Sequence, residues 1–126
     1  MATTVKEMLA SANAAVPRIT PAEAKAMAGD PRVLMVDVRD GAEVKASGKA
    51  KGALHVSRGL IEFRADPESP MHDAAFDRTK TVIVYCASGG RSALAGKTLK
   101  DMGYSDVRNL GGFKDWADAG GEVENV

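Results

Sequence analysis

The sequence predicts an α/β domain in which a central parallel sheet is flanked by helices on both faces. Three observations point there. Two short segments, Val33-Leu34-Met35-Val36-Asp37 and Thr81-Val82-Ile83-Val84-Tyr85-Cys86, are apolar almost throughout and read as strands buried on both faces. Stretches of helical periodicity alternate with such segments, as crossover connections between parallel strands require. The one cysteine, Cys86, closes the second apolar segment and is followed by small residues and then a helical pattern. That position is the C-terminal edge of a strand, where open α/β sheets bind their ligands.

Composition narrows the function classes. A chain of 126 residues fits one domain with one core. Seventeen basic and seventeen acidic residues balance, so neither a nucleic acid nor an anionic membrane is expected as partner. No apolar run is long enough to span a bilayer. A single cysteine excludes an internal disulfide framework and a cysteine-based metal cluster, and His55 and His72 stand apart, so no metal is expected. The lone thiol suits a reducing compartment, and the expected location is cytoplasmic.

In chain order, residues from Ala2 to about Val16 read as an amphipathic helix with Val5, Met8, Leu9, Ala12 and Val16 on one face. Charges interrupt it, so it is not a secretory signal. We expect an N-terminal helical extension over residues 1–17 and a domain over 18–126. Pro17 to Thr20 is extended. Thr20 caps a helix that has Pro21 at its first position and Glu23 three residues after the cap, and that stops at Gly29-Asp30-Pro31. The strand ending at Asp37 leads into Val38-Arg39; charges at the end of a buried strand demand pairing, so Asp37 and Arg39 are expected to form a structural ion pair. A short helix over Gly41–Ser47 carries Glu43. Leu54-His55-Val56 leads into a third strand, with His55 as a structural hydrogen-bonding residue. Residues 57–79 are the least regular, with a helical turn at Leu60, Ile61 and Phe63 and a break at Asp66-Pro67; Arg58 and Arg64 there read as ordinary surface charges. After Cys86, Leu94, Ala95, Thr98, Leu99 and Met102 share one helical face, with a stop at Gly103. Tyr104 to Leu110 gives a last strand, and Phe113, Trp116 and Ala117 share the face of a last helix that Gly120 ends.

The chemistry converges on the loop Cys86-Ala87-Ser88-Gly89-Gly90-Arg91-Ser92. The first turn of a helix offers unpaired N–H groups and the positive end of its dipole. Small residues let the loop curl until those amides converge on one point. Arg91 adds a permanent charge. An anion there is stabilised, so the Cys86 thiol is expected to ionise below its ordinary value of ~8.5 and to act as a nucleophile.

This loop resembles the active-site loop of the rhodanese family of sulfurtransferases: a cysteine, a variable residue, Ser or Thr, Gly, a variable residue, Arg, Ser. Cysteine-based phosphatases also use a Cys-to-Arg loop, but with five intervening residues rather than the four found here. Two further stretches carry the resemblance. Gly48 to Val56 is similar to a family segment, with Gly52, Ala53 and His55 kept. Asn109-Leu110-Gly111-Gly112-Phe113 with Trp116, Gly120, Gly121 and Val123 resembles the family's C-terminal signature. The likeness spans about Ile19 to Val123. It implies a single rhodanese-like domain whose Cys86 thiolate takes sulfur from a small anionic donor such as thiosulfate and passes it, as a persulfide, to cyanide or a thiol. Residues 87–92 would bind substrate and persulfide. Asp37 and Arg39 would brace the fold near the site, and Gly111 and Gly112 would lie beside the loop. No cofactor is implied. Family members that prefer thiosulfate often carry a basic residue where Ala87 stands, so mercaptopyruvate, glutathione persulfide and a protein persulfide stay open as donors. A sulfur-carrying or regulatory module served by a protein partner is the alternative, and arsenate or phosphate-ester chemistry a weaker one.

Overall fold

The computed structural model describes residues 2–126. The chain runs α1 (Val5–Ala15), α2 (Pro21–Met27), β1 (Val33–Asp37), α3 (Gly41–Ser47), β2 (Lys49–Ala50), β3 (Leu54–His55), a 3₁₀ turn (Arg58–Leu60), α4 (Ile61–Ala65), β4 (Thr81–Cys86), α5 (Gly90–Asp101), β5 (Asp106–Gly112), α6 (Phe113–Asp118) and β6 (Val123–Glu124). The expected α/β class holds. The main sheet has the order β3-β1-β4-β5, and every neighbouring pair is parallel. Before α2, Arg18, which belongs to no strand, forms a single parallel bridge with Asn109 on the outer edge of β5.

Both faces of the sheet are covered. On one, Val16, Ile61, Ala65, Ala95 and Leu99, from the end of α1 and from α4 and α5, pack on Leu34, Val36, Val82, Val84 and Val107. On the other, Ala24 of α2 and Trp116 of α6 pack on Met35, Ile83, Tyr85 and Leu110. Successive residues of β1 and β4 therefore enter different cores, which is why neither strand alternates apolar with polar.

Local chemistry explains the helix starts. Thr4, Thr20 and Asp40 each form a capping box with the glutamate three residues on, Glu7, Glu23 and Glu43. Several expectations are corrected. The first helix starts at Val5, not Ala2, because the Thr4 cap fixes it there. Its Val5 and Met8 are exposed, Leu9 is half-buried beside Gly90, and Ala12 and Val16 are buried, because the first turn of α1 extends past the body. In α5 the buried face is Ser92, Ala93, Ala95, Gly96 and Leu99. Leu94, Thr98 and Met102 are only half-buried, since α5 is covered by α1 as well as by the sheet. The last strand is Asp106–Gly112 rather than Tyr104–Leu110, because Gly111 and Gly112 still pair with Tyr85 and Cys86. Ala117 is exposed; α6 is anchored by buried Trp116, its Nε1 donating to the Glu122 carbonyl at 2.8 Å, and by half-buried Phe113, which stacks on Tyr85. Phe63 also faces solvent, while Ile61 is buried. The antiparallel pair β2–β6 was not foreseen; strands of two residues carry no periodicity.

The contact of α1 with α5 depends on Gly96. A β-carbon there would lie 3.1 Å from both methyls of Val16 and 3.4 Å from Val107. Gly96→Leu is expected to destabilise the protein by about 1–3 kcal/mol through overpacking; urea denaturation followed by tryptophan fluorescence measures it.

Candidate active site

Cys86 is the last residue of β4, and its side chain is buried. Gly89, in the left-handed region at φ +104°, precedes α5 and turns the chain back over the sulfur. Its N–H donates to Cys86 Sγ at 3.0 Å, and Ser92 Oγ lies 3.4 Å away. Burial pushes the thiol up. Hydrogen bonding from the Ser92 hydroxyl and from the backbone N–H groups of Ser92, Ser88 and Gly89 more than offsets this, and the thiol ionises below its ordinary value. Ser88 thus acts through its backbone; its side chain is exposed, as is that of Ala87.

Asn109 holds this loop to the sheet. Its buried side chain donates to the Gly89 carbonyl at 3.1 Å and accepts from Gly111 N–H at 2.9 Å and Ser92 Oγ at 2.8 Å. Gly111, at φ +97°, sits opposite Tyr85, and Gly112 sits opposite Cys86. A β-carbon on Gly112 would lie 2.6 Å from the Ala87 carbonyl oxygen. Both glycines therefore lie beside the loop, as the resemblance implied.

Arg91 points away from the sulfur's hydrogen bonds toward α3. Its Nη1 and Nη2 donate to Glu43 Oε1 and Oε2 at 2.6 and 2.9 Å, a two-point pair. The guanidinium holds the Glu43 carboxyl down at about 2. Asp37 and Arg39 form the expected buried pair, with Arg39 Nη2 at 2.7 Å from Asp37 Oδ2. Arg39 also donates to Ser47 Oγ at 2.8 Å and to the Gly48 carbonyl at 2.6 Å, and stacks 4.3 Å from the Phe113 ring centroid. Every strong donor is used, so the pair braces α3 and α6 rather than facing a ligand. His55 bonds the Arg39 carbonyl at 2.7 Å. Arg58 is occupied by Glu62 and Thr98, and Arg64 reaches the Met71 carbonyl. A surface concavity elsewhere, lined by Lys25, Gly29, Lys51 and Trp116, contains no residue of the loop.

Sequence reasoning missed three contributors to the site. Asn109 stood in a quoted motif without a role; a polar residue amid a buried strand was the available signal. Glu43 was placed on a helix, but its partnership with Arg91 spans 48 residues. Arg18 lies against the loop: a β-carbon on Gly89 would meet its Nη1 at 2.8 Å, and one on Gly111 its Cζ at 3.0 Å.

Two outcomes follow for solution work. Ser92→Ala removes a donor worth about 1 kcal/mol net, so alkylation of Cys86 by iodoacetamide below its titration is expected to slow about fivefold, with the pH profile moved upward. Glu43→Gln is expected to lower the melting temperature at pH 7. Because the Glu43 carboxyl is depressed from 4.5 to about 2, its contribution is complete above 4.5 and is lost as pH falls toward 2. The difference in melting temperature between wild type and Glu43→Gln should therefore shrink over that window.

Comparison with known proteins agrees with this geometry. Residues 20–119 match the model of the rhodanese-like domain. A solved protein of unknown function from Rhodopseudomonas palustris, described as a possible tyrosine phosphatase, is 42% identical, with a TM-score of 0.90 over 98% of this chain and 96% of that one. The polysulfide-sulfur transferase homodimer of Wolinella succinogenes is 32% identical, with a TM-score of 0.76 over 96% of this chain and 87% of that one. The thiosulfate sulfurtransferase PspE of Escherichia coli is 49% identical over 67 residues, 53% of this chain and 59% of that protein. A parallel sheet with a lone cysteine at its C-terminal edge, inside a loop of converging amides, thus meets a family match over most of the chain: the protein belongs to the rhodanese-like domain family.

Proposed function

We propose that this protein is a sulfurtransferase that works through a persulfide on Cys86. The observation that carries the reading is a lone thiol at the C-terminal end of a parallel strand with backbone N–H groups and one hydroxyl turned onto it. The Cys86 thiolate attacks the outer sulfur of thiosulfate. A new S–S bond forms on Cys86, the old S–S bond breaks, and sulfite leaves with its electron pair. Cyanide or a thiolate then attacks the outer sulfur of the persulfide, departs as thiocyanate or as a new persulfide, and returns Cys86 as thiolate. No proton, metal or cofactor is needed for this balance. The N–H groups of Ser88, Gly89 and Ser92 hold negative charge on sulfur at both stages. Arg91, bound at two points to Glu43, keeps the start of α5 in place. The sulfur-transfer names of relatives from Wolinella succinogenes and Escherichia coli support this reading. So does a match that starts at residue 20 support treating residues 1–17 as an extension of the domain. A cytoplasmic site of action belongs to the same reading, since its intermediate needs a reduced thiol.

The second reading, phosphate-ester or arsenate chemistry at the same loop, gains interest from the description of the Rhodopseudomonas palustris protein. Against it, only four residues separate Cys86 from Arg91, and Glu43 already occupies the guanidinium.

Intact mass before and after thiosulfate tests the proposal. The wild type is expected to gain one sulfur atom that cyanide removes, and Cys86→Ala to gain none. Equal mass change in both proteins, or turnover of an aryl phosphate by the wild type alone, would overturn it.

A further inference from the structure

We propose that Arg18 is the residue that receives the anionic end of the donor at Cys86, so that the segment before the domain's first helix is part of the site. This rests on the sulfurtransferase reading above. Within the loop the one cation is Arg91, and both its terminal nitrogens are bound to Glu43. Arg39 is buried and consumed by Asp37, Ser47 and Gly48. Arg58 is held by Glu62 and Thr98. Arg18 differs from all of these. Among the described residues no carboxylate lies within ion-pair distance of it, and its side chain is exposed.

Its position is fixed from two sides. The Arg18 backbone bridges Asn109, with Asn109 N–H donating to the Pro17 carbonyl at 2.8 Å and Ile19 N–H to the Asn109 carbonyl at 3.1 Å. The guanidinium fills the space that β-carbons on Gly89 and Gly111 would take. Both glycines have positive φ, so the two positions without side chains form a seat for a flat cation. Gly89 is the residue whose N–H bonds Sγ at 3.0 Å. Bond lengths then place Nη1 no more than about 9 Å from the sulfur. A separation within that limit can be bridged by a small donor that offers a sulfane sulfur to Cys86 and an oxyanion to a guanidinium, since Arg matches planar two-point recognition of oxyanions. Two acidic groups lie beside the loop, and neither is paired with Arg18. Glu43 is neutralised by Arg91, and Asp115, whose Oδ2 would meet a β-carbon on Gly112 at 3.1 Å, is not bonded to Arg18.

The test compares two alkylating reagents that differ in charge and not in mechanism. Iodoacetate carries a carboxylate and iodoacetamide does not, so the ratio of their rates at Cys86 reports an anion seat independently of sulfur transfer. Arg18→Ala is expected to lower the iodoacetate-to-iodoacetamide ratio about three- to tenfold at low salt, with Arg18→Lys recovering part of it and added salt erasing the difference. In thiosulfate assays the same variant should raise KM and leave kcat near that of the wild type. An Arg18 that only favours the thiolate, or only braces the loop, would change both reagents alike; an unchanged ratio overturns the proposal. A lowered ratio in a protein that gains no sulfur from thiosulfate would keep the anion seat and reject thiosulfate as donor. Among the described residues the Arg18 side chain makes no hydrogen bond, so Arg18→Ala removes none from the fold.

Discussion

The side chain of Asn109 is the constraint on which the site depends. It is buried at the heart of β5, so each of its polar atoms needs a partner, and it finds three. The Gly89 carbonyl ties down the turn that aims an N–H at sulfur; Gly111 N–H fixes the irregular end of β5; Ser92 Oγ anchors the first turn of α5. Its backbone meanwhile pairs with Pro17 and Ile19, which carries Arg18 to the same place. One amide thus registers strand, loop, helix and N-terminal segment against each other. The Ser92 hydroxyl has one proton and two acceptors, Asn109 Oδ1 at 2.8 Å and Cys86 Sγ at 3.4 Å, which couples the sulfur's charge to this network.

Around the sulfur two opposing effects are large. Burial in a nearly water-free position opposes a charged thiolate, and hydrogen bonds from converging N–H groups favour it. The second wins because the donors are preorganised by backbone geometry and need no reorientation when charge forms. The arginines divide labour by their partners. Arg39 lies in the interior with Asp37, where removal of either partner would strand a buried charge at a cost of about 3–5 kcal/mol. Arg91 sits half-exposed with Glu43, where solvent weakens the pair and its main effect is to fix loop geometry. Arg18 has no carboxylate partner among the described residues, which is the basis for proposing it as an anion seat.

Much of the fold was legible because it is written in local, repeated signals. The two-sided burial of β1 and β4 shows as unbroken apolar runs, and the capping boxes at Thr20 and the glycine stops show as short motifs. Boundaries failed where tertiary contact overrides the local signal. Gly111 and Gly112 look like a turn in sequence, yet β4 pairs with both. Val5 and Met8 complete an apolar face on paper, yet the body under α1 does not cover them.

The sequence by itself determined the α/β class, the loop from Cys86 to Ser92 and the pairing of Asp37 with Arg39. Each of these rests on residues adjacent in the chain, where spacing alone places side chains together. Only the tertiary structure decided which amides face the sulfur, that Glu43 claims Arg91, and that Arg18 reaches the loop across Gly89 and Gly111. The two arginine contacts join residues separated by 48 to 93 positions, and the amides on the sulfur, though near Cys86 in the chain, converge only once the loop has turned. Their formation depends on strand order and on the positive-φ turns at Gly89 and Gly111, which periodicity and composition do not encode.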